Sequence, residues 1–160
     1  MDEEVKKYSV EIDDPIKELR KATISDDRGV YFVFSAKEGD GAYTLIRLLY
    51  IGRSNDVQQR VNGKHHKHGK ILAECKKDQG VPVYYYGDVT PSSKEDMVRT
   101  ESALIFSKDP ELNETADKEF HHPDTYIQLK RKKGCRNENN AIPAAFRGDE
   151  IFVAKGQKKN

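Results

Sequence analysis

One carboxylate in this chain stands where a helix should carry an apolar side chain. Segment 92–107 has helical periodicity, and Met97, Leu104 and Ile105 share one apolar stripe. Glu101 falls on the same stripe. Burying a carboxylate against an apolar core costs folding free energy unless a cation pairs with it. The sequence leaves three alternatives open: an Arg or Lys partner, a bound metal ion, or a half-exposed place at the edge of the stripe.

Basic side chains are concentrated in two parts of the chain, although its net charge is only +1. Between residues 47 and 70 the only acid is Asp56, and the bases are Arg47, Arg53, Arg60, Lys64, Lys67 and Lys70. A second cluster comprises residues 130–133 and Arg136. Local basic surface on a nearly neutral protein fits a polyanion site confined to one face. For the second cluster, an ordinary solvated surface is an equal alternative, because short Lys/Arg runs are common.

Strands and a helix must position these groups. Residues 29–34 and 45–51 are rich in β-branched and aromatic side chains and predict two strands. Residues 37–41 are turn material, so the strands should pair as a hairpin. A helix is expected over 55–62, with Arg60 beside its apolar stripe.

The hairpin predicts a meeting of two phenols. With the turn centred after residue 40, Tyr31 lies opposite Tyr50, and Val33 lies opposite Leu48. Opposed residues of an antiparallel pair project to the same face. We therefore expect Tyr31 and Tyr50 to meet at the open end of the hairpin.

Taken together, these residues resemble the GIY-YIG nuclease family. The matching elements, in chain order, are Gly29-Val30-Tyr31, Tyr50-Ile51-Gly52, Arg60, Glu101 and Asn113. Val30 replaces the Ile of the family name and keeps its apolar, β-branched character. The resemblance covers residues 29–113 and explains neither end of the chain.

The resemblance implies an α+β fold, similar to an α/β sandwich. A small antiparallel or mixed sheet with a core of three strands would be flanked by helices. We expect a single domain over 1–160, with the nuclease core at 29–113. Residues 1–28 and 114–160 would be extensions, the second of unknown role.

The activity that the resemblance implies is metal-dependent hydrolysis of phosphodiester bonds in nucleic acid, with DNA favoured over RNA. Glu101 would hold one Mg²⁺ or Mn²⁺, because Mg²⁺ keeps much of its water and needs few protein ligands. Arg60 would bind the scissile phosphate through its planar guanidinium. Tyr31 would be the general base, and Tyr50 would orient water or phosphate. A free phenol has a pKa of about 10, so the base role requires neighbouring positive charge.

Further residues are expected to serve this site. Gly29, Gly52 and Asn113 would be structural. Contacts to the nucleic-acid backbone are expected from Arg53, Lys64, His65 and Lys67, and either Lys64 or His65 would assist catalysis. The histidines at 65, 66 and 68 lack a nearby pair of cysteines, so their spacing fits a closed zinc site poorly.

Outside the motifs, the sequence predicts several other elements. Strands are expected at 10–12, at 82–89 (an edge strand, because of Pro82) and at 151–153, and helices at 15–21 and 70–77. Of the tyrosines at 84–86, the middle one should face opposite to its neighbours. Cys75 and Cys135 are expected as reduced thiols. No apolar run is long enough to span a membrane, and a cytoplasmic protein is the default expectation.

Two rival functions belong to different classes. One is a nucleic-acid-binding module with the same fold and no turnover. The other is a protein-interaction domain whose basic tail binds an acidic partner. The first would be favoured by loss of a motif residue, and all the motif residues are present.

Overall fold

The protein has an α+β fold built on one six-stranded sheet. The computed structural model describes residues 4–13, 29–39, 42–53, 68–113, 118–131 and 150–159. The elements in these ranges are β1 (Lys6–Ile12), β2 (Gly29–Gly39), β3 (Ala42–Arg53), α1 (His68–Lys77), β4 (Val81–Thr90), α2 (Lys94–Lys108), β5 (Thr125–Arg131) and β6 (Glu150–Val153).

The sheet is twice as wide as the predicted core of three strands. Its strand order is β3-β2-β4-β1-β5-β6, and only β1 and β5 run parallel to each other. The three additional strands come from the two chain extensions. The predicted strands at 10–12 and 151–153 are confirmed as β1 and β6, whereas β5 was not predicted. The C-terminal extension therefore widens the sheet.

Pro82 does not lie on an edge strand, which corrects the prediction. β4 is flanked by β2 on one side and β1 on the other. However, β1 pairs only with residues 87–90 of β4, so Pro82 lies beyond the reach of β1. Pro82 has no backbone N–H to donate, but β1 and β4 do not pair at this position, so no hydrogen bond between these two strands is lost.

The hairpin of β2 and β3 forms as predicted, but its register changes along the way. Near the turn Ala36 pairs with Leu45, as the predicted turn requires. Two bulges then leave Ile46 and Leu49 of β3 without opposed residues, so Tyr50 pairs with Val33. The predicted pairs of Tyr31 with Tyr50 and of Val33 with Leu48 are wrong. One bulge exchanges the two faces of a strand and a second restores them, so Tyr50 still faces the same side as Tyr31.

Among the described residues, each face of the sheet packs against one helix. On the α1 face, a core of sheet residues packs with Ile71 and Cys75 of α1; it comprises Tyr31, Val33, Leu49, Tyr50 and Tyr84. On the α2 face, the larger core includes Phe32, Phe34, Ile51 and Tyr85 from the sheet and Met97, Ala103 and Leu104 from α2. The predicted alternation of the tyrosines at 84–86 is thus confirmed for Tyr84 and Tyr85. Leu72 of α1 is 44% exposed, so it does not join Ile71 and Cys75 in this core.

Both ends of α2 are fixed by local chemistry. Ser93 and Asp96 form a reciprocal capping box, in which each side chain accepts a hydrogen bond from the other residue's backbone N–H. The helix ends at Asp109, which adopts the left-handed conformation (φ 49°). Lys159 Nζ lies 3.0 Å from the Asp109 carboxylate and 5.1 Å from the centre of the Phe106 ring. The chain after β6 therefore lies against the end of α2.

Two predicted helices, at 15–21 and 55–62, lie outside the described residues. Cys135 and the basic residues 132, 133 and 136 lie there too, whereas Cys75 is a buried free thiol, as expected. No helix within the described part of the chain is long and apolar enough to cross a membrane.

Candidate active site at the open end of the hairpin

Tyr31 lies directly across Gly52. The two residues pair across β2 and β3, and a Cβ added to residue 52 would stand 2.5 Å from both Cζ and Oη of Tyr31. Real Cβ atoms do not approach other atoms so closely, so only glycine fits here. The structural role expected for Gly52 is therefore to make room for the phenol, which is fully buried.

Gly29, the glycine of the first motif, likewise lies against a phenol, that of Tyr86. A Cβ on Gly29 would lie 2.5 Å from Cζ and Oη of Tyr86. Tyr86 pairs directly with Tyr31 across β4 and β2 and is partly exposed. Sequence reasoning left Tyr86 out of the site. The sequence did contain a signal for Tyr86: it alternates with Tyr85 along the strand and so points to the opposite face. The strand pairing shows that this face is the one of Tyr31.

Tyr50 completes a group of three phenols. Its ring centroid is 6.0 Å from that of Tyr31, and the ring planes are tilted by 40°. Tyr50 reaches Tyr31 diagonally, because its direct partner is Val33. Tyr50 is 9% exposed, whereas Tyr31 is 0% exposed, so Tyr50 is the motif phenol that meets solvent.

Glu101 has an arginine partner. Its Oε1 lies 3.4 Å from Nε of Arg53, and the two side chains are 20% and 25% exposed. The Arg or Lys partner left open by the sequence is therefore Arg53, which follows Gly52 at the end of β3. Arg53 was expected to contact nucleic acid, and its Nε makes no hydrogen bond. The pair of Arg53 and Glu101 therefore links α2 to the residue that follows Gly52, against which the Tyr31 ring packs.

Asn113 anchors the second motif through its side-chain amide. Its Oδ1 accepts a hydrogen bond from the Ile51 N–H (2.8 Å), and its Nδ2 donates one to the Ile51 carbonyl (2.9 Å). Beside it, the Leu112 N–H donates to the carbonyl of the bulged Leu49 (2.8 Å). Since β3 lies at the edge of the sheet formed by the described strands, these bonds satisfy backbone groups that no other described strand pairs. The Asn113 side chain and the Leu112 N–H thus hold the end of β3 around Ile51 in place.

Arg47 does not belong to a free basic surface, contrary to the charge pattern of the sequence. Its Nε donates to Asp78 (2.8 Å), its Nη2 donates to Glu74 (2.6 Å), and its Nη1 contacts Glu111. The hydrogen bonds to Asp78 and Glu74 raise the pKa of Arg47 above its ordinary value. Arg47 therefore ties α1 and the segment after α2 to β3.

Nucleophilic chemistry by a thiolate is disfavoured in this core. Burial raises the pKa of the Cys75 thiol above its usual value. Burial also raises the pKa of Tyr84 to about 12. Both groups therefore stay neutral near pH 7 and act as packing residues of the α1 face.

A metal ion would find a single carboxylate here rather than an enclosed cage. Within the described ranges, no group of three or more His, Cys, Asp or Glu side chains is placed to hold a metal. Glu101 offers a partly exposed, hard oxygen donor. A single carboxylate fits Mg²⁺, which keeps most of its water ligands and is also coordinated by phosphate oxygens of a substrate.

The other expected site residues, namely Arg60, Lys64, His65 and Lys67, lie in 54–67, outside the described residues. What the structure brings together is the set of Tyr31, Tyr50, Gly52, Arg53, Glu101 and Asn113. The phenols come from the α1 face and the carboxylate from the helix on the other face, and both reach the Gly52-Arg53 dipeptide.

No protein-family model matches this chain, and neither a curated protein nor a solved structure does.

Proposed function

We propose that this protein is a metal-dependent endonuclease of the GIY-YIG type, which hydrolyses phosphodiester bonds of nucleic acid with one divalent cation. DNA is the first substrate to test. The observation that carries the proposal is that Tyr31 packs against Gly52 while Glu101 pairs with Arg53, the next residue of the strand. Two residues 70 positions apart in sequence, on different faces of the sheet, approach the same dipeptide.

The motif glycines support the proposal independently of the charged groups. Gly29 and Gly52 each lie under a tyrosine ring and admit no Cβ. A strand glycine covered by a phenol fixes where the hydroxyl lies. This placement is what a site needs if it uses phenols as chemical groups rather than as packing surface.

The assignment of roles follows from burial and charge. Tyr50, the more exposed phenol of the motif pair, orients the attacking water or a phosphate oxygen. Tyr31 is the general base; because a free phenol has a pKa of about 10, this role requires a cation close to the ring. Arg60, on the segment that follows β3, is proposed as that cation and as the ligand of the scissile phosphate.

Glu101 is the residue that would hold the divalent ion, through the oxygens that now face Arg53. The ion, when bound, supplies positive charge to the leaving oxygen and to a nonbridging oxygen. Arg53 pairs with Glu101 and holds its carboxylate in place when no ion is bound. Arg53 is then free to contact the nucleic-acid backbone when the ion takes its place.

Nicking of supercoiled plasmid tests the proposal. We expect cutting with Mg²⁺ or Mn²⁺ and none with EDTA. Glu101→Gln should slow cutting about 10²- to 10⁴-fold while the far-ultraviolet circular dichroism stays unchanged. Glu95→Gln is the matched control, because Glu95 is an exposed carboxylate on the same helix and should not be needed.

The outcomes separate the rival functions. A protein that shifts plasmid in a gel with no cutting under any divalent ion is a binding module. A protein that neither shifts nor cuts nucleic acid fits the protein-interaction alternative. Cutting by Glu101→Gln at the wild-type rate would mean that the activity resides elsewhere in the chain or in a contaminant.

A further inference from the structure

A buried polar cluster joins the first strand to the helix that carries Glu101. Tyr8 of β1 donates a hydrogen bond from its hydroxyl to Oδ1 of Asp96 (2.8 Å) and accepts one from Nη1 of Arg99 (2.6 Å). Arg99 and Asp96 also form an ion pair at 3.6 Å within α2. The phenol of Tyr8 thus connects two charged residues one turn apart.

This cluster is well shielded from solvent. Tyr8 is 4% exposed, and the side chain of Arg99 is 11% exposed. Hydrogen bonds to ionised partners are strong. If one partner is removed from a shielded cluster, the remaining polar group is left without a hydrogen bond, and this costs folding free energy. Burial raises the pKa of Tyr8, so its hydroxyl stays protonated and available to Asp96. Breaking the cluster is therefore more costly than breaking the exposed pair of Lys159 and Asp109 at the other end of α2, where Asp109 is 70% exposed.

The cluster and Glu101 lie on opposite flanks of α2. Residues 99 and 101 are separated by about 200° around a helix. Tyr8 therefore holds the flank that faces β1, and Arg53 meets the flank that faces β3. A helix held on one flank only can roll or slide along the sheet, and Glu101 would move with it.

We propose that Tyr8 is a positioning residue for the candidate site: by holding Asp96 and Arg99, it fixes α2 on the sheet and so sets the place of the Glu101 carboxylate beside Arg53. The role for catalysis rests on the proposed function, whereas the role for α2 and Glu101 does not. The N-terminal extension, which lies outside the motif region, thereby becomes part of the machinery.

The test compares two tyrosine variants. Tyr8→Phe removes only the hydroxyl. Tyr126→Phe is the matched control, because Tyr126 is also a strand tyrosine with a hydroxyl bonded to a carboxylate, that of Glu150. It alternates with Ile127, which packs on the α2 face, and so points to the other face of the sheet. Circular dichroism establishes that both variants fold.

Hydrogen exchange is the first readout. In Tyr8→Phe, amides of α2 should exchange about ten- to a hundredfold faster than in the wild type, the change expected from losing hydrogen bonds to charged groups. Amides of α1 should change much less, and Tyr126→Phe should leave both helices unchanged. Equal acceleration in α1 and α2 would show that Tyr8 serves only overall stability and would overturn the proposal, as would no acceleration at all.

The Arg53 Nε–H signal in nuclear magnetic resonance is the second readout, and it does not depend on any activity. We expect the signal of Tyr8→Phe to move towards its position in Glu101→Gln, and that of Tyr126→Phe to stay in place. An unmoved signal in Tyr8→Phe would show that Glu101 is placed without Tyr8.

Cutting is the third readout. For Tyr8→Phe, kcat should fall by about ten- to a hundredfold at an unchanged KM for nucleic acid, as expected when a reacting group is misplaced. Normal kcat in a variant with loosened α2 would overturn the catalytic part of the proposal. If the wild type does not cut at all, the proposed function fails, and the first two readouts still decide whether Tyr8 places Glu101.

Discussion

Glu101 lies 3.4 Å from Nε of Arg53, and this ion pair connects the middle of α2 to the end of β3. Arg53 directly follows Gly52, which the phenol of Tyr31 covers. The sheet separates the helix from the phenol, yet both reach neighbouring residues at the strand end.

Gly52→Ala should unfold the protein more easily than the wild type. Its methyl group would overlap the Tyr31 phenol, and overpacking of a buried site costs about 1–3 kcal/mol. Gly39→Ala is the control, because nothing lies within 4 Å of a Cβ at Gly39, and a change within about 0.5 kcal/mol is expected. Urea unfolding measures both. Equal stabilities for the two variants would show that Tyr31 does not need the space over Gly52.

Asn113→Asp should weaken the anchoring of β3. The new carboxylate keeps the acceptor for the Ile51 N–H but loses the donor to the Ile51 carbonyl, at a loss of about 1–3 kcal/mol. Gln157→Glu makes the same chemical change where only the acceptor is used, towards the Ala154 N–H, and should be nearly neutral. The free energy of unfolding and the exchange rate of the Ile51 amide report the result. A loss no larger than that of Gln157→Glu would contradict the anchoring role.

Acid should remove the contribution of the Arg47 network. The hydrogen bond from Arg47 lowers the pKa of Asp78, and hydrogen bonds from Lys77 and Arg47 lower that of Glu74. A carboxylate whose folded pKa lies below its unfolded value of about 4 stabilises the fold above that value and loses this effect as the pH falls. Arg47→Gln should therefore lower the Tm at pH 7 and lower it much less at pH 3.

Lys37→Gln is the control for this pH series, because Lys37 is an exposed cation on β2. Its Tm should follow that of the wild type throughout. A Tm difference between Arg47→Gln and the wild type that is as large at pH 3 as at pH 7 would show that Arg47 stabilises the fold by packing and not by charge.

The local chemistry of the site could be predicted from the sequence, whereas its long-range context could not. The hairpin, the helix with Glu101 and the shared face of Tyr31 and Tyr50 follow from periodicity and turn composition. The direct pairing of those tyrosines does not occur, because two bulges move Tyr50 by two positions along β2. The two bulges cancel in their effect on the faces, so the shared face survives although the direct pairing does not.

Partners distant in sequence account for the remaining differences. Nothing local indicates that Arg53 pairs with Glu101, that Arg47 meets three carboxylates, or that Tyr8 reaches across to Arg99. The strand β5 was missed although Ile127 and Leu129 alternate with Gln128 and Lys130, because its end coincides with the basic run at 130–133, which suggests solvated surface. Such pairings depend on strand order, which short-range patterns do not specify.

A cycle of single-turnover cleavage rates for the wild type, Tyr31→Phe, Glu101→Gln and the double variant tests most directly whether the two faces serve one site. Each single variant should cut about 10²- to 10⁴-fold more slowly, as for the loss of a group that acts in the transition state. If both groups act on the same phosphodiester, the double variant should be about as slow as the slower single variant. A double variant slowed by the product of the two single effects, or a single variant that cuts at the wild-type rate, would contradict the account.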